Sequence, residues 1–93
     1  MSEPQRITAT ATIKNKRGLH ARASAKLVEA AARFQSQITV SHDGQTVDAR
    51  SIMGLMMMAA GIGSQIEIAA EGPDAQDAMT AILALVDAKF GED

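Results

Sequence analysis

Hydrophobic and polar side chains alternate strictly near the start of the chain. Between residues 6 and 13, every second residue is apolar and the residues between them are threonines. A period of two places the apolar side chains on one face of a strand. Residues 38–40 and 47–49 alternate in the same way on either side of Asp43-Gly44, a pair suited to the tight turn of a β-hairpin. Another alternating segment, residues 66–68, predicts a fourth strand.

Three other segments have apolar residues at intervals of three and four, which is typical of amphipathic helices. The first covers residues 21–34. The second, residues 52–60, follows Ser51, whose hydroxyl can cap a helix, and we expect it to end at Gly61. The third, residues 75–90, follows Asp74, which is the expected cap of that helix.

The elements therefore follow the order βαββαβα. Four strands with one polar face and three amphipathic helices predict an α+β protein, in which a four-stranded antiparallel sheet is covered by the helices on one face. Because the chain has only 93 residues and no linker, we expect residues 1–93 to form one domain. Periodicity does not determine the order of the strands in the sheet.

Composition excludes several classes of protein. The chain has no cysteine and only two histidines, so we expect neither a disulfide framework nor a metal site, and no cofactor. It has no apolar run of about 18 residues, and its first residues lack the build of a secretory signal. We therefore expect a cytoplasmic protein that does not insert into a membrane.

The distribution of charge is more informative than the net charge of −2. Residues 4–28 contain no acid but hold six of the nine basic residues, namely Arg6, Lys14, Lys16, Arg17, Arg22 and Lys26. This segment is expected to project a positive potential that attracts an anion or an acidic partner. A solvated face of lysine and arginine is the alternative interpretation.

A candidate anion site lies where the first predicted helix begins. The first backbone amides of that helix are expected to point outward without an intrahelical partner, and they belong to Ala21, Arg22, Ala23 and Ser24. Such a helix end suits a phosphate, whose oxygens Arg22 could neutralise. His20, neutral near pH 7, could attack a phosphoryl donor there. The alternative is a surface histidine that happens to begin a helix.

The second predicted helix is rich in methionine. Leu55 and at least one methionine are expected in the core, but the four methionines between residues 52 and 58 exceed what one buried stripe needs. We therefore expect part of this helix to form an exposed, apolar docking surface. Ser51 is either an ordinary N-cap or a phosphorylation site whose charge would alter that surface.

Two motifs resemble the histidine-containing phosphocarrier (HPr) family of the bacterial phosphoenolpyruvate-dependent phosphotransferase system. Gly18-Leu19-His20-Ala21-Arg22 is similar to the active-centre signature of that family. Ser51-Ile52-Met53-Gly54-Leu55-Met56 is similar to its regulatory-serine segment. The separation of the motifs and the order of the elements agree with the family over about residues 5–90.

The resemblance implies an open-faced β-sandwich in which His20 is phosphorylated on Nδ1 by enzyme I and passes the phosphoryl group to IIA-type proteins. It implies a monomeric carrier rather than an enzyme, with Arg22 stabilising the phosphate. Ser51 would be the residue that HPr kinase/phosphorylase modifies. The partner-docking surface would include Ile52, Met53 and Met56.

The sequence departs from the family pattern at two positions. Ala23 stands where the family usually has proline, so the first helical turn is expected to be less rigid but to gain one backbone amide. Arg17 stands where a small polar residue is more usual. It adds positive charge beside the site, where it could contribute to partner docking.

Two other classes of function compete with a phosphoryl carrier. A regulatory module could use the same helix end to bind an anion or a protein without covalent chemistry. A nucleic-acid-binding module is less well supported, because only Phe34 and Phe90 could stack on bases and both lie on predicted core stripes. The sequence leaves open whether the phosphoryl group would serve sugar uptake or a regulatory branch.

Overall fold

The computed structural model describes residues 5–92. It confirms the predicted α+β fold and its order of elements, with four strands in one sheet and three helices. The strands are β1 (Arg6–Thr12), β2 (Gln37–His42), β3 (Gln45–Asp48) and β4 (Gln65–Glu71). The helices are α1 (Ala21–Ala31), α2 (Ile52–Met57) and α3 (Ala75–Asp87), and a short turn over Lys89–Gly91 follows α3.

The strand order, which periodicity could not determine, is β1-β4-β2-β3, and all neighbouring strands are antiparallel. The register aligns the apolar positions, since Ile68 lies opposite Ala9 on one side and Val40 on the other. The helix-covered face carries the buried side chains Ile38, Val40, Ile66, Ile68 and Ala70. The opposite face exposes Thr8, Thr10 and Glu67, which gives the predicted open-faced arrangement.

The hairpin between β2 and β3 turns at the two predicted residues. Asp43 and Gly44 have φ angles of 50° and 83°, as the two central residues of a type I′ turn require. This turn matches the right-handed twist of the paired strands, and Val40 pairs with Val47 across the hairpin.

A buried cluster joins the sheet to the helices. Leu27 of α1, Leu55 of α2 and Ile82 of α3 are all 0% exposed. Phe90 is also fully buried, but it lies in the turn after α3 and not on the helix itself. The prediction of a continuous helix over residues 75–90 was therefore too long.

The first two helices also end earlier than their apolar spacing predicts. α1 ends at Ala31 instead of Phe34, because the amide of Phe34 bonds to the carbonyl of Ala31 and tightens the chain into a turn. α2 ends at Met57 instead of Ala60, and the residue with a left-handed backbone is Ala59, with φ 54°, rather than Gly61. This early reversal lets the carbonyl of Ala60 accept a hydrogen bond from the amide of Leu19 at 2.9 Å.

Asp74 stands at the N-cap position of α3, as predicted, but its side chain does not cap that helix. Its carboxylate instead accepts hydrogen bonds from the amides of Gln35 and Ser36, at 2.9 and 2.8 Å, and from the Ser36 hydroxyl. Asp74 therefore ties the loop before β2 to the start of α3. The Ser36 hydroxyl bond, followed by the Gln35 amide bond, holds the pKa of Asp74 below its ordinary value.

Candidate functional site

The position of His20 depends on Gly18. Gly18 has a φ angle of 64°, and a Cβ atom there would lie 2.4 Å from the carbonyl oxygen of Ala60. Glycine is required both by the left-handed backbone and by this close approach. The next residue, Leu19, is buried and donates its amide to the same carbonyl. The loop before α1 is thereby held against the segment that follows α2.

His20 is the N-cap of α1, with φ −75° and ψ −178°, and its side chain makes no capping bond to the helix. The amide of Ser24 donates to the carbonyl of His20 at 2.8 Å. The first three amides, those of Ala21, Arg22 and Ala23, have no hydrogen-bond acceptor among residues 5–92. They form an open set at the positive end of the helix dipole.

The prediction that Ser24 contributes an open amide is wrong, because that amide closes the first turn of α1. The Ser24 hydroxyl is also engaged, since it donates to the carbonyl of Leu19 at 3.0 Å, and the whole residue is buried. The side chain of Ala23 is buried as well. Its amide, which a proline would lack, belongs to the open set.

His20 has an acidic partner that the sequence did not reveal. Its Nε2 contacts the carboxylate of Glu92, and the two side chains are each only 16% exposed. Residues 4–28 contain no acid, but in the folded chain a carboxylate from another segment lies against His20. The two residues are 72 positions apart, and no local pattern could connect them.

Asn15 holds the carboxylate of Glu92 from the other side. Asn15 Nδ2 donates to Glu92 Oε1 at 3.0 Å and to the carbonyl of Gly18 at 2.8 Å. The hydrogen bond from Asn15 holds the pKa of Glu92 below its ordinary value, against an opposing effect of burial, and His20 and Arg17 lower it further. The sequence analysis missed both Asn15 and Glu92.

The backbone after α3 adopts an unusual conformation to reach His20. Lys89 and Phe90 have φ angles of 58° and 55°, and Gly91 continues the turn at 75°. Left-handed backbone costs about 1–2 kcal/mol for a residue that has a side chain. Burial of Phe90 and a 2.7 Å hydrogen bond from Lys26 Nζ to the carbonyl of Phe90 stabilise the turn.

Basic side chains surround this carboxylate. Glu92 lines an open depression of about 350 Å³ together with residues of the basic segment, namely Lys16, Arg17, Arg22 and Lys26. Arg22 is exposed on the first turn of α1. The structure thus brings Arg17 and Arg22 together beside the helix start, as the spacing of the sequence suggested.

α2 presents the expected apolar surface. Ile52, Met53 and Met56 are 38%, 64% and 39% exposed, whereas Leu55 and Met58 are buried. Two further apolar residues, Met57 at 73% and Ile62 at 59%, are also exposed. We call these five exposed side chains the α2 apolar surface, and it is wider than the sequence analysis predicted.

Ser51 begins α2, and its side chain caps that helix. Its Oγ accepts a hydrogen bond from the amide of Gly54 at 3.1 Å, which confirms the predicted cap. A Cβ atom at Gly54 would lie 3.0 Å from Ser51 Oγ and 3.0 Å from Val47 Cβ. Glycine at this position therefore lets the first turn of α2 approach β3 closely.

The described part of the chain shows neither a membrane span nor a metal cluster. Within residues 5–92, no helix is both long and apolar enough to cross a bilayer. The same residues contain no group of three or more histidine, aspartate or glutamate side chains arranged to hold a metal ion.

Comparison with known proteins relates most of the described chain to one family. The family model described as "PTS HPr component phosphorylation site" matches residues 7–88. The phosphocarrier protein HPr of Cupriavidus necator is 59% identical over 81 residues, which cover 87% of this chain and 91% of that protein. The phosphocarrier protein HPr of Treponema pallidum is 46% identical over 87 residues, covering 94% and 99% of the two chains.

Comparison with solved structures also finds similarity to HPr proteins. The crystal structure of HPr-C-His from Thermoanaerobacter tengcongensis matches with a TM-score of 0.89 and 44% sequence identity. The match covers 94% of this chain and 98% of that one. The similarity therefore extends over sequence and fold together, and it includes both helix starts described above.

Proposed function

Because this chain belongs to the HPr family of phosphocarrier proteins, we propose that His20 is the residue that carries the phosphoryl group. The family role is phosphoryl transfer within the phosphotransferase system, and this chain is a phosphocarrier of that system. In the proposed cycle, enzyme I donates the phosphoryl group to His20 and IIA-type proteins receive it. The chain is thus a substrate of its partners in both directions.

The observation that carries the proposal is the arrangement around the imidazole. His20 stands at the start of α1, and its Nε2 contacts Glu92, which leaves Nδ1 as the nitrogen available to attack phosphorus. A phosphoryl group on Nδ1 would be stabilised by the open amides of Ala21, Arg22 and Ala23. Arg22 and Arg17 would add positive charge. Phosphoryl transfer requires little beyond such positioning and charge stabilisation.

The α2 apolar surface is the proposed docking face for enzyme I and the IIA-type proteins. Its exposed thioethers are flexible and polarisable, so one surface can adapt to several partners. The loop that carries His20 packs on the segment after α2 through the hydrogen bond between Leu19 and Ala60. A partner bound to this surface would therefore be close to the imidazole.

The test of the carrier role is a phosphorylation assay with phosphoenolpyruvate and purified enzyme I. We expect the chain to gain one phosphoryl group that is lost in acid, as a phosphoramidate is, and to transfer it to a IIA-type protein. His20→Ala should abolish the gain, whereas the matched control His42→Ala should retain it. Labelling of His20→Ala would contradict the proposal, and binding of enzyme I without labelling would favour a non-covalent regulatory module.

We also propose that Ser51 is a regulatory phosphorylation site for HPr kinase/phosphorylase. Its hydroxyl caps α2 and lies next to Ile52 and Met53 of the α2 apolar surface. A phosphate at this helix start would be compatible with the fold, because it would face the positive end of the helix dipole. Its charge would nevertheless disfavour docking of an apolar partner surface.

The test of regulation at Ser51 separates acid-stable from acid-labile label. After incubation with ATP and HPr kinase/phosphorylase, we expect acid-stable label on the unaltered chain and none on Ser51→Ala. Ser64→Ala is the matched control and should be labelled normally. Acid-stable label on Ser51→Ala, or no acid-stable label on the unaltered chain, would contradict a regulatory role for Ser51. Neither result would affect the proposed role of His20.

A further inference from the structure

We propose that Glu92 is a positioning residue for phosphoryl transfer, because its carboxylate holds the His20 imidazole with the proton on Nε2 and the lone pair on Nδ1. The inference rests on the proposed function of His20. It assigns a role to the segment after α3, which neither of the two sequence motifs includes.

The contacts of Glu92 support a defined orientation. Oε2 contacts Nε2 of His20, while Oε1 accepts from Asn15 Nδ2 at 3.0 Å. Each carboxylate oxygen therefore has its own partner, and the carboxylate cannot rotate without losing one of them. A carboxylate can only accept a hydrogen bond, so a neutral His20 must carry its proton on Nε2.

Two hydrogen bonds donated by the side-chain nitrogen of Asn15 fix the orientation of its amide group. The residue is fully buried, and Nδ2 donates both to Glu92 and to the carbonyl of Gly18. Asn15 Oδ1 has no hydrogen-bond partner within the described part of the chain. Burying an amide oxygen in this way is unfavourable, and the two bonds made by Nδ2 offset that cost. Asn15 thus links the glycine loop before His20 to the carboxylate behind it.

The backbone that delivers Glu92 is also specifically stabilised. Lys89 and Phe90 both adopt the left-handed conformation, which is unfavourable for residues with side chains. The complete burial of Phe90 and the hydrogen bond from Lys26 keep the chain in this turn. Strained backbone is often found at functional sites, and this strained turn places Glu92 against the His20 imidazole.

The orientation has a direct chemical consequence. During transfer the Nδ1 lone pair forms the new N–P bond, while the bond between phosphorus and the donor's leaving atom breaks and its electron pair stays with the donor. No proton has to leave the imidazole in this step, because it is already on Nε2. The ring gains a positive charge that the adjacent Glu92 carboxylate stabilises. The opposite tautomer would place the proton where phosphorus must bind.

The charges around the site make a carboxylate compatible with an incoming phosphoryl group. The depression that contains Glu92 is lined by Lys16, Arg17, Arg22 and Lys26, so four cations accompany one carboxylate. These positive side chains offset the charge of Glu92, which lines the same depression. The Glu92 carboxylate itself contacts Nε2 of His20, so it leaves the Nδ1 edge of the ring to the phosphoryl group.

The first test measures the tautomer directly. Nitrogen-15 NMR of uniformly labelled protein distinguishes a protonated from an unprotonated ring nitrogen. At a pH where His20 is neutral, we expect the proton on Nε2 in the unaltered chain and a mixture of tautomers in Glu92→Ala. Glu92→Gln should recover only part of the preference for Nε2, because glutamine has one acceptor oxygen for the two donors, His20 Nε2 and Asn15 Nδ2. Glu67→Ala, an exposed glutamate on β4, is the matched control.

The second test measures phosphorylation of the same variants by enzyme I. Glu92→Ala should reduce kcat by roughly 10- to 100-fold, the range that corresponds to the loss of one hydrogen bond to a charged group, with little change in KM. KM should change little, because the substitution does not alter the α2 apolar surface, the proposed docking face for enzyme I. Thermal unfolding of each variant, followed by circular dichroism, will show that the chain remains folded.

The outcomes distinguish this inference from the proposed function. If His20 in the unaltered chain takes no phosphoryl group, the carrier role itself fails. If the chain is phosphorylated but Glu92→Ala keeps the same tautomer or an unchanged kcat, the positioning role is wrong. A faster reaction in Glu92→Ala would also overturn it, because Glu92 would then obstruct His20.

Discussion

The starts of α1 and α2 differ in how their first backbone amides are satisfied. At α2, the hydroxyl of Ser51 accepts from the amide of Gly54, so the helix provides its own cap. At α1, the N-cap residue is His20, whose side chain contacts Glu92 and leaves three amides open. At α2 the N-cap side chain satisfies one amide of the first turn, whereas at α1 the N-cap side chain satisfies none and contacts a distant carboxylate instead.

This difference matches the two functions proposed for these helix starts. The start of α1 lacks a side-chain cap, so its first three amides are open to the proposed phosphoryl group. The capped start of α2 supports a short helix of six residues whose exposed side chains are largely apolar. The proposed phosphoryl transfer therefore lies at the helix start without a side-chain cap, and the proposed docking lies at the capped one.

The largest expected effect comes from disturbing the loop that holds the α1 start. In Gly18→Ala, the new Cβ would meet the Ala60 carbonyl at 2.4 Å on a backbone with φ 64°. We expect a loss of about 2–4 kcal/mol in the free energy of unfolding, because strain and a steric conflict combine, together with slower phosphorylation of His20. Urea denaturation measures the first effect and the enzyme I assay the second.

Gly63→Ala is the matched control for that experiment. Gly63 also has a positive φ, of 85°, but a Cβ atom there would meet nothing within 4 Å. The loss should therefore be limited to the backbone cost of about 1–2 kcal/mol, with normal phosphorylation. Equal losses in the two variants would show that the close approach of Gly18 to Ala60 contributes nothing.

The start of α3 is a third case, because the side chain of its N-cap residue holds another loop and does not cap the helix. Asp74 accepts hydrogen bonds from Gln35 and Ser36, which lower its pKa below the ordinary 3.8. A carboxylate with a lowered folded-state pKa contributes stability that is present above its unfolded pKa and is lost as the pH falls through the folded value. The unfolding temperature should therefore fall as the pH drops below about 4.

Asp74→Asn should flatten this acid dependence and lower stability at neutral pH more than loss of the single Ser51 cap bond does. Asp77→Asn, an exposed change in the first turn of the same helix, is the matched control and should leave the profile unchanged. Calorimetry between pH 2 and pH 7 measures the effect. An identical acid profile in Asp74→Asn and the unaltered chain would show that these bonds do not favour the ionised form.

Removal of the α2 cap should have a smaller effect. Ser51→Ala loses the acceptor for the Gly54 amide, and we expect it to cost about 1 kcal/mol in the free energy of unfolding. Phosphorylation of His20 should be nearly unchanged, because the α1 start does not use this hydroxyl. Ser64→Ala is a suitable control for denaturation, since Ser64 enters the hydrogen-bond pattern through its backbone. A strong loss of His20 phosphorylation would show that the two starts are coupled.

The smallest effect is expected at the α2 apolar surface. Met57 is 73% exposed, so Met57→Gln should leave stability unchanged while raising the KM of enzyme I for this carrier by about threefold, a modest loss typical of one interface side chain. Ala84→Gln, an exposed change on α3, serves as the control. An unchanged KM would show that Met57 is not part of the docking face.

Much of the fold could be predicted because its signals are local. The threonine alternation of β1, the Asp43-Gly44 turn and the Ser51 cap each depend on neighbouring residues, and the structure confirms all three. The ends of the helices were less predictable. α2 stops at Met57 because the carbonyl of Ala60 must reach Leu19, a partner that lies outside the helix.

The candidate site was predicted only in part for the same reason. The glycine, histidine and arginine of the first motif are close in sequence, and their convergence at a helix start follows from helix geometry. The contact between His20 and Glu92 follows from no such rule. The helical spacing that includes Phe90 suggests a longer α3, whereas burial of Phe90 in a left-handed turn redirects the chain toward His20.

The sequence by itself determined the order of strands and helices, the two helix starts that bear His20 and Ser51, and the excess of positive charge near the first of them. These properties depend on periods, caps and charges within a few residues. The tertiary structure decided the strand order, the width of the α2 apolar surface and the carboxylate behind the imidazole. Those features depend on packing between distant segments, where burial and hydrogen bonding across the whole chain outweigh local preference.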